Sequence, residues 1–541
     1  MSTPGARVWD YEPEQIAHLL SLLRCDRLRL VISGKAHAQR CTSAERWYGT
    51  KYSDQPLDAD LAVRWGAARV VPGLALPRAN PFVPQDLELR PPAGPAHTEF
   101  PERLRLGSEL GSVATAYFRK DEDFGLPKAV CAFMIHCPFT AECLEHRVSV
   151  ELWCAAVMEE LNQFAYEAQM AGLSYSMGAT ATGVMVRFGG YNDKLLALLS
   201  AVARAVAEFG EVPEQTYRIT RAVMERDFSN AATRAPPHVQ GFVAESCTLS
   251  LTGRSHEERL AALRGPAGQL GSLRGLNRRL LDRCHVECLL QGNLTAPEAQ
   301  ELVHGFLRPL GIAEALDAVP PVGSAALPPG WTLLERRGAD PEEKNGALVL
   351  RLQVAEHSLQ SACLTALASQ ILSQLEGFVV QSERHPSFVL RRVREWVEGA
   401  WGYLEAELAD EEFQEYRAAL VAQVQERHKS LGEEFGAHWA EVAARSLRFG
   451  LRREQAACLE ALGLEDLRRF VGSLRGAPAL CVLVASQRGD AEPGAPGAAA
   501  ESCDRVWSPE DVAAFREQAR WRLRESRIDR HPGGGPVASR L

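Results

Sequence analysis

Residues Leu273–Thr295 read LRGLNRRLLDRCHVECLLQGNLT. The first half is helix-like. The second, from His285, is a short apolar run that leaves through Gly292 and Asn293. An apolar run of four to eight residues behind a helix reads as a buried strand. The same succession occurs twice more. IAHLLSLLR (Ile16–Arg24) precedes RLRLVISGKA (Arg27–Ala36), and LEDLRRFVGSLR (Leu464–Arg475) precedes ALCVLVASQRG (Ala479–Gly489). A helix–strand pair therefore closes a repeated α/β unit. The first copy ends by Ala36, too early for a whole domain. The chain is thus expected to open inside a domain.

Working outward from Leu273, ATAYFRK (Ala114–Lys120) and AVCAFMIHC (Ala129–Cys137) alternate like strands. Val148–Ala171 reads as one long helix, with Leu152, Leu161, Phe164 and Met170 apolar and Gly172 as its stop. GVMVRFGG (Gly183–Gly190) reads as a strand running into a Gly-Gly turn, with a helix from Asp193. A second unit repeats the order: strand Gly346–Val354, helix Ser358–Leu375, strand Gly377–Ser382. Strand pairs followed by long helices predict an α+β chain, with mostly antiparallel sheets and helices packed on one face of each. Pro-rich stretches interrupt the pattern at Val71–Pro101 and Val319–Pro329, and the tail from Ala491 is rich in Gly, Ala and Pro. The first should be extended and anchored by Leu76, Phe82, Val83 and Leu87.

The composition narrows the function. The 541 residues correspond to three or four domains at about 150 residues each. Apolar residues make up 46% and charged residues 24%, ordinary globular usage. The formal charge of -9 argues against a protein that coats nucleic-acid phosphates. No run approaches the roughly 18 apolar residues of a membrane span. Met1–Arg7 does not read as a secretory signal, so an intracellular protein is expected. The thirteen cysteines are odd in number and loosely spaced, and read as small buried hydrophobes.

Motifs for self-sufficient chemistry are missing from these residues. No two of the fourteen histidines are four apart, so neither H-E-x-x-H nor H-x-x-E-H occurs. Those motifs place two imidazoles on one helical face beside a Glu that activates metal-bound water. Glu142–His146 (ECLEH) mimics the second motif with Glu for the first ligand, and reads as chance because no long amphipathic helix is expected to open there. His136, Cys137, Cys143 and His146 cluster, yet the second ligand pair of a Cys/His zinc site is lacking. Ser33-Gly34-Lys35 lacks the first glycine and the final Ser/Thr of a phosphate loop. No catalytic and no metal-binding residue is assigned.

Ordered strings then point to a family. They are WYGTKY (Trp47–Tyr52), LP (Leu76–Pro77) with NPFVP (Asn80–Pro84), and FRKD (Phe118–Asp121) with Phe124 and LPK (Leu126–Lys128). They continue with YEA (Tyr166–Ala168), AGLSY (Ala171–Tyr175), GYNDK (Gly190–Lys194) and GNLT (Gly292–Thr295). With these the chain resembles the C-terminal half of the insulin-degrading-enzyme-like zinc metallopeptidases. The resemblance implies tandem αβ domains and two bowl-shaped halves around a peptide chamber. The zinc and its H-x-x-E-H helix would belong to an N-terminal half, so no cofactor is expected in this chain. Expected partners are peptide substrates and that catalytic half, in cis or in trans, with no nucleic acid and no membrane.

On this reading 1–69 is a remnant of the second domain and 70–105 an extended linker. The third domain spans 106–325, the fourth 326–510, and a helix and flexible tail 511–541. Relatives carry an Arg and a Tyr that contact substrate after the fourth domain's first helix. Here Gln374 passes directly to Leu375–Glu383, so that segment is expected to be skipped. Arg427 and Lys429, flanking His428, sit where relatives carry a basic cluster proposed to bind polyanions, and otherwise read as a solvated helix face. Ser539, Arg540 and Leu541 resemble a peroxisomal address, as an alternative to a cytoplasmic location. The expected function is the non-zinc wall of a metalloendopeptidase. The alternative is an inactive paralogue acting as a peptide- or partner-binding scaffold.

Overall fold

The computed structural model describes residues 12–67, 73, 78–92, 99–354, 358–374, 381–382, 386–487, 503–524 and 526–528. Its contacts divide the chain into Met1–Ala79 and Asn80–Leu541.

In the first unit, helices Pro13–Ser21 and Ala59–Gly66 accompany a small hairpin, Ser43–Ala44 with Lys51–Tyr52. The Glu45 carboxylate accepts the backbone N–H groups of Trp47, Tyr48 and Thr50 and so fixes the hairpin turn. The strand expected at Arg27–Ala36 is not formed. Lys35–Arg40 coils into a 3-10 helix, and Val31 is 82% exposed. Among the described residues of this unit the only ladder is the hairpin's own, so this apolar run has no neighbour to complete its hydrogen bonds.

The second unit is built on two mixed sheets, an α+β arrangement. In the first sheet, β1 (Glu102–Leu104), β2 (Ala114–Lys120), β3 (Lys128–His136), β4 (Ser174–Ala179), β5 (Gly183–Tyr191) and β6 (Arg283–Gly292) lie in the order β1-β2-β6-β3-β5-β4. Glu314–Ala315 adds a short strand beside β6. β6 is the strand expected from the opening stretch, and lies parallel to β2 and antiparallel to β3. In the second sheet, β7 (Trp331–Arg337), β8 (Gly346–Leu352), β9 (Gln381–Ser382), β10 (Ala479–Ala485) and β11 (Arg505–Trp507) lie in the order β9-β8-β10-β7-β11. β10 is the third copy of the helix–strand pattern. Most of the strand expected at Gly377–Ser382 lies outside the described residues.

The pleat sends alternate residues to opposite faces. Along β3, Ala129, Cys131, Phe133 and Ile135 enter one core. Helices α1 (Leu144–Glu160) and α2 (Asn192–Glu208) cover that face. The long helix expected from Val148 breaks at Leu161, and Asn162–Met170 follows as a separate helix. The Gly-Gly turn is also corrected. Gly189 and Gly190 remain in β5, and a Cβ on Gly190 (φ +132) would lie 2.4 Å from Gly172 O.

Next in the chain come α3 (Pro237–Leu249), α4 (His256–Arg264), α5 (Ala296–Leu310), α6 (Asp410–Gln425), α7 (Leu431–Ala444) and α8 (Pro509–Gln518). α5 completes the first core, where Phe306 stacks on Phe133 at 4.1 Å. The other face of each sheet is also covered, by a helix from the far side of the chain. Ala244 of α3 packs with Leu334, Val349, Leu480 and Val482 of the second sheet. Phe435 and Val442 of α7 pack with Ala132 and Leu289 of the first. This exchange joins the two sheets into one unit.

The Pro-rich stretch is anchored mainly by polar contacts. Phe82 is 3% exposed and meets Phe164 edge-on, whereas Val83 and Leu87 are exposed and Leu76 lies outside the described residues. Asn80 Nδ2 donates to Glu167 O (2.6 Å). Asn293 Oδ1 accepts from Arg90 N (2.7 Å), and its Nδ2 donates to Glu88 O (2.9 Å). The Gly292–Asn293 exit of β6 therefore ends in a clasp for the strap.

Candidate functional site

A cleft of about 970 Å³ opens where α7 crosses the first sheet. Its rim is the turn between α6 and α7, and its floor is formed by Arg119 of β2 with Glu434 and His438 of α7. Arg427, His428 and Lys429 all lie in that turn, which corrects the helix-face expectation. The turn forms because α6 ends at Gln425 and the Ser430 hydroxyl caps α7 by accepting Glu433 N–H (3.2 Å).

The three basic residues fare differently. Lys429 is bonded to Glu426 (3.1 Å) but is 76% exposed, so that ion pair contributes little. His428 lies within hydrogen-bond distance of Arg452 Nη1 (3.0 Å). Burial, then the Arg452 charge, lowers its pKa. Arg452 in turn donates to Val424 O (2.9 Å) and Glu426 O (2.7 Å), capping the carbonyl end of α6. Arg427 is exposed on the cleft, with no ion pair among the described residues. Glu99, Glu122, Asp123 and Glu441 also line the cleft, so its charge is mixed.

The floor holds a buried network that sequence reasoning missed. Arg119 of β2, with a side chain 3% exposed, bonds Glu434 of α7 (2.5 Å), Asp123 (2.6 Å) and Glu99 O (2.6 Å). Gln291 of β6 donates its amide to the same Glu434 carboxylate. Gln291 Oε1 then lies 2.9 Å from His438 Nδ1. A carbonyl oxygen only accepts, so Nδ1 carries the proton. Just past the end of α7, Arg445 bonds Glu287, which also meets His136 Nε2 (3.0 Å). Burial raises the pKa of Glu434 and outweighs Arg119, with Asp123 and Asp121 adding to it. Burial first, then Arg119 and His428, lowers His438 from 6.5 to about 4.

His438 gives a pH dependence with a definite sign. Between about pH 6.5 and 4 the unfolded chain binds a proton that the native chain refuses. Its contribution is full above pH 6.5 and is lost as pH falls toward 4, on the order of 3 kcal/mol. Glu434 works in the opposite direction, because its raised pKa costs stability as pH rises. Urea unfolding across this range should show a shallower slope for His438→Gln than for the parent. An unchanged slope would remove His438 from the account.

The residues weighed as zinc ligands are held apart. His136 bonds Thr182 (3.1 Å) and Glu287, Cys137 contacts Thr140 (3.0 Å), and Cys143 caps α1. His146 stacks on Phe139 and pairs with Glu142 (3.1 Å). Contrary to expectation, a long helix does open at Leu144, but α1 buries residues on all sides rather than one face. Among the described residues no group of three or more His, Cys, Asp or Glu could hold a metal ion. Buried Cys131 and Cys154 have thiol pKa values pushed up by burial alone or chiefly by burial, which makes them inert. Also among the described residues, no helix is long and apolar enough to cross a membrane. Ser539, Arg540, Leu541 and the junction Leu375–Val380 lie outside the described residues.

Comparisons with known proteins agree with this architecture. Residues 3–262 match the family profile described as the middle or third domain of peptidase M16. The chain is 25% identical over 498 residues to insulin-degrading enzyme from Homo sapiens, covering 85% of this chain and 47% of that one. It is 24% identical over 498 residues to insulin-degrading enzyme-like 1, peroxisomal, from Arabidopsis thaliana, covering 85% and 50%. The crystal structure of pitrilysin superposes with a TM-score of 0.73 at 19% identity, over 90% of this chain and 53% of that one. The chain thus spans about half the length of the relatives it matches.

Proposed function

Since the chain is a member of the insulin-degrading-enzyme family and corresponds to its C-terminal half, we propose that it forms the zinc-free wall of a peptide-degradation chamber. Proteolysis would require an N-terminal half bearing H-x-x-E-H, which would supply the zinc. The observation supporting this reading is the fold match to pitrilysin over 90% of the chain, in a sequence without that motif. The wall's role is confinement: it excludes folded proteins and holds an extended peptide in one orientation, converting part of a bimolecular encounter into a positioned one. Among the described residues β4 is the outer strand of the first sheet and pairs with β5 alone, so its edge can add a peptide strand. On the cleft rim Arg427 is the anion contact, with Lys429 secondary. Ser539–Leu541 is the peroxisomal address.

Two experiments follow. A fluorescent peptide titrated with the chain should gain anisotropy and stay intact by mass spectrometry, even with zinc added. Cleavage blocked by a chelator would overturn the division of labour. A fluorescent protein carrying Gly533–Leu541 should enter peroxisomes and remain cytosolic without Leu541. Identical distributions would dismiss the address.

A further inference from the structure

The loop between α3 and α4, residues 250–255, gathers arginines from distant parts of the chain. Arg147 of α1 donates to Thr252 O (2.9 Å). Arg516 of α8 donates to Ser250 O (2.8 Å) and Leu251 O (3.1 Å). Arg254, in the loop itself, donates to the neighbouring Gly253 O (2.7 Å). Among the described residues, none of these three meets a carboxylate within ion-pair distance. A guanidinium has five N–H donors, so one bond to an adjacent carbonyl leaves Arg254 mostly unspent.

The carbonyl end of α3 offers about half a negative charge, against three full positive ones. Two acids nearby are already engaged. Glu151 pairs with Arg259 (2.8 Å), and Glu258 accepts Ser255 N–H (2.7 Å) in the capping box of α4. The imbalance is visible in the ionisation of the cluster. Burial, then Arg254, lowers the pKa of both Arg147 and Arg516.

A second observation is independent of charge. Arg147 Nε, Arg259 Nε and His256 Nδ1 are buried nitrogens without a hydrogen-bond partner. All three belong to this one cluster, and orphaned buried polar atoms call for a ligand or water. The hydroxyls of Ser250 and Thr252, 3.3 Å apart, stand on the same loop.

We propose that this loop binds a small multivalent oxyanion, of the pyrophosphate or polycarboxylate class, through Arg147, Arg254 and the Ser250 and Thr252 hydroxyls. The bound anion would balance the three charges and tie α8 to α3 and α4. It would also favour protonation of His256, which burial and Arg259 disfavour and Glu257 favours in the free protein.

Calorimetric titration of the full chain with pyrophosphate, and separately with citrate, tests this. Saturable binding that weakens with added salt is expected. Arg254→Ala should weaken it at least about tenfold, the usual scale for a charged hydrogen bond, and Arg254→Lys less. Arg392→Ala, which removes an exposed guanidinium paired with Glu395, should leave it unchanged. Heats should depend on buffer ionisation if His256 takes up a proton, and that dependence should vanish in His256→Gln. Preference for pyrophosphate assigns a phosphate ligand, and preference for citrate a polycarboxylate. Absence of binding by both anions, or binding unchanged in Arg254→Ala, would overturn the proposal. Circular dichroism of Arg254→Ala should match the parent, because the side chain gives up a bond to its own neighbour.

Discussion

Arg119→Ala is expected to destabilise the chain by about 3–5 kcal/mol, the cost of breaking a buried ion pair by removing one partner. On β2 the pleat turns Arg119 toward α7 rather than into the first core. There it meets Glu434, whose carboxyl already has a pKa raised by burial. Without the guanidinium, Glu434 must remain buried and uncompensated or take a proton. Its pKa should therefore rise further, and the variant should lose more stability at pH 8 than at pH 5. Asp123 and Glu99 O lose a partner at the same time. The double variant Arg119→Met, Glu434→Gln should recover much of the loss, because removing both charges also removes the desolvation problem. Urea unfolding followed by tryptophan fluorescence measures all three. A loss below about 1 kcal/mol for Arg119→Ala would mean the network is solvated and ordinary.

The expected effect is large because Arg119 sits between elements far apart in the chain. It lies 315 residues from Glu434. α7 carries Leu431, Phe435, His438 and Val442 at helical spacing. Nothing local says that this stripe covers the first sheet rather than the second. Burial of Arg119, Gln291 and Glu287 was equally hidden, since on a strand a polar residue ordinarily marks the solvent face. Here that face is dry because another helix lies on it.

The elements themselves were easier to read. β6 and β10 follow directly from HVECLLQG and ALCVLVA, because a buried strand needs little beyond an apolar run and a defined exit. The same rule failed at Arg27–Ala36, whose composition is as strand-like, because a strand also needs a ladder partner. Leu161 ended a helix within a continuous pattern, and Gly189 and Gly190 stayed in a strand. At Gly190 close backbone approach decides over local propensity. At the candidate site, the basic cluster was visible as residue types. Its sorting was not. That Arg427 has no ion pair among the described residues while Lys429 is engaged depends on Glu426, Arg452 and the geometry of one turn.

In the proposed assembly this chain supplies the wall and another half supplies the metal. Positioning accounts for much of an enzyme's advantage, with effective molarities of about 10⁵ M or more for well-held reactants. A catalytic half without its wall should therefore cleave poorly, and the wall alone not at all. The most direct measurement is to mix this chain with a separately expressed N-terminal half of human insulin-degrading enzyme and follow cleavage of a fluorogenic peptide. The account predicts little activity from either component, a rise on mixing that saturates with this chain, and complete loss with a zinc chelator. Chelator-sensitive cleavage by this chain alone, or no change on mixing once a complex is seen by light scattering, would contradict it.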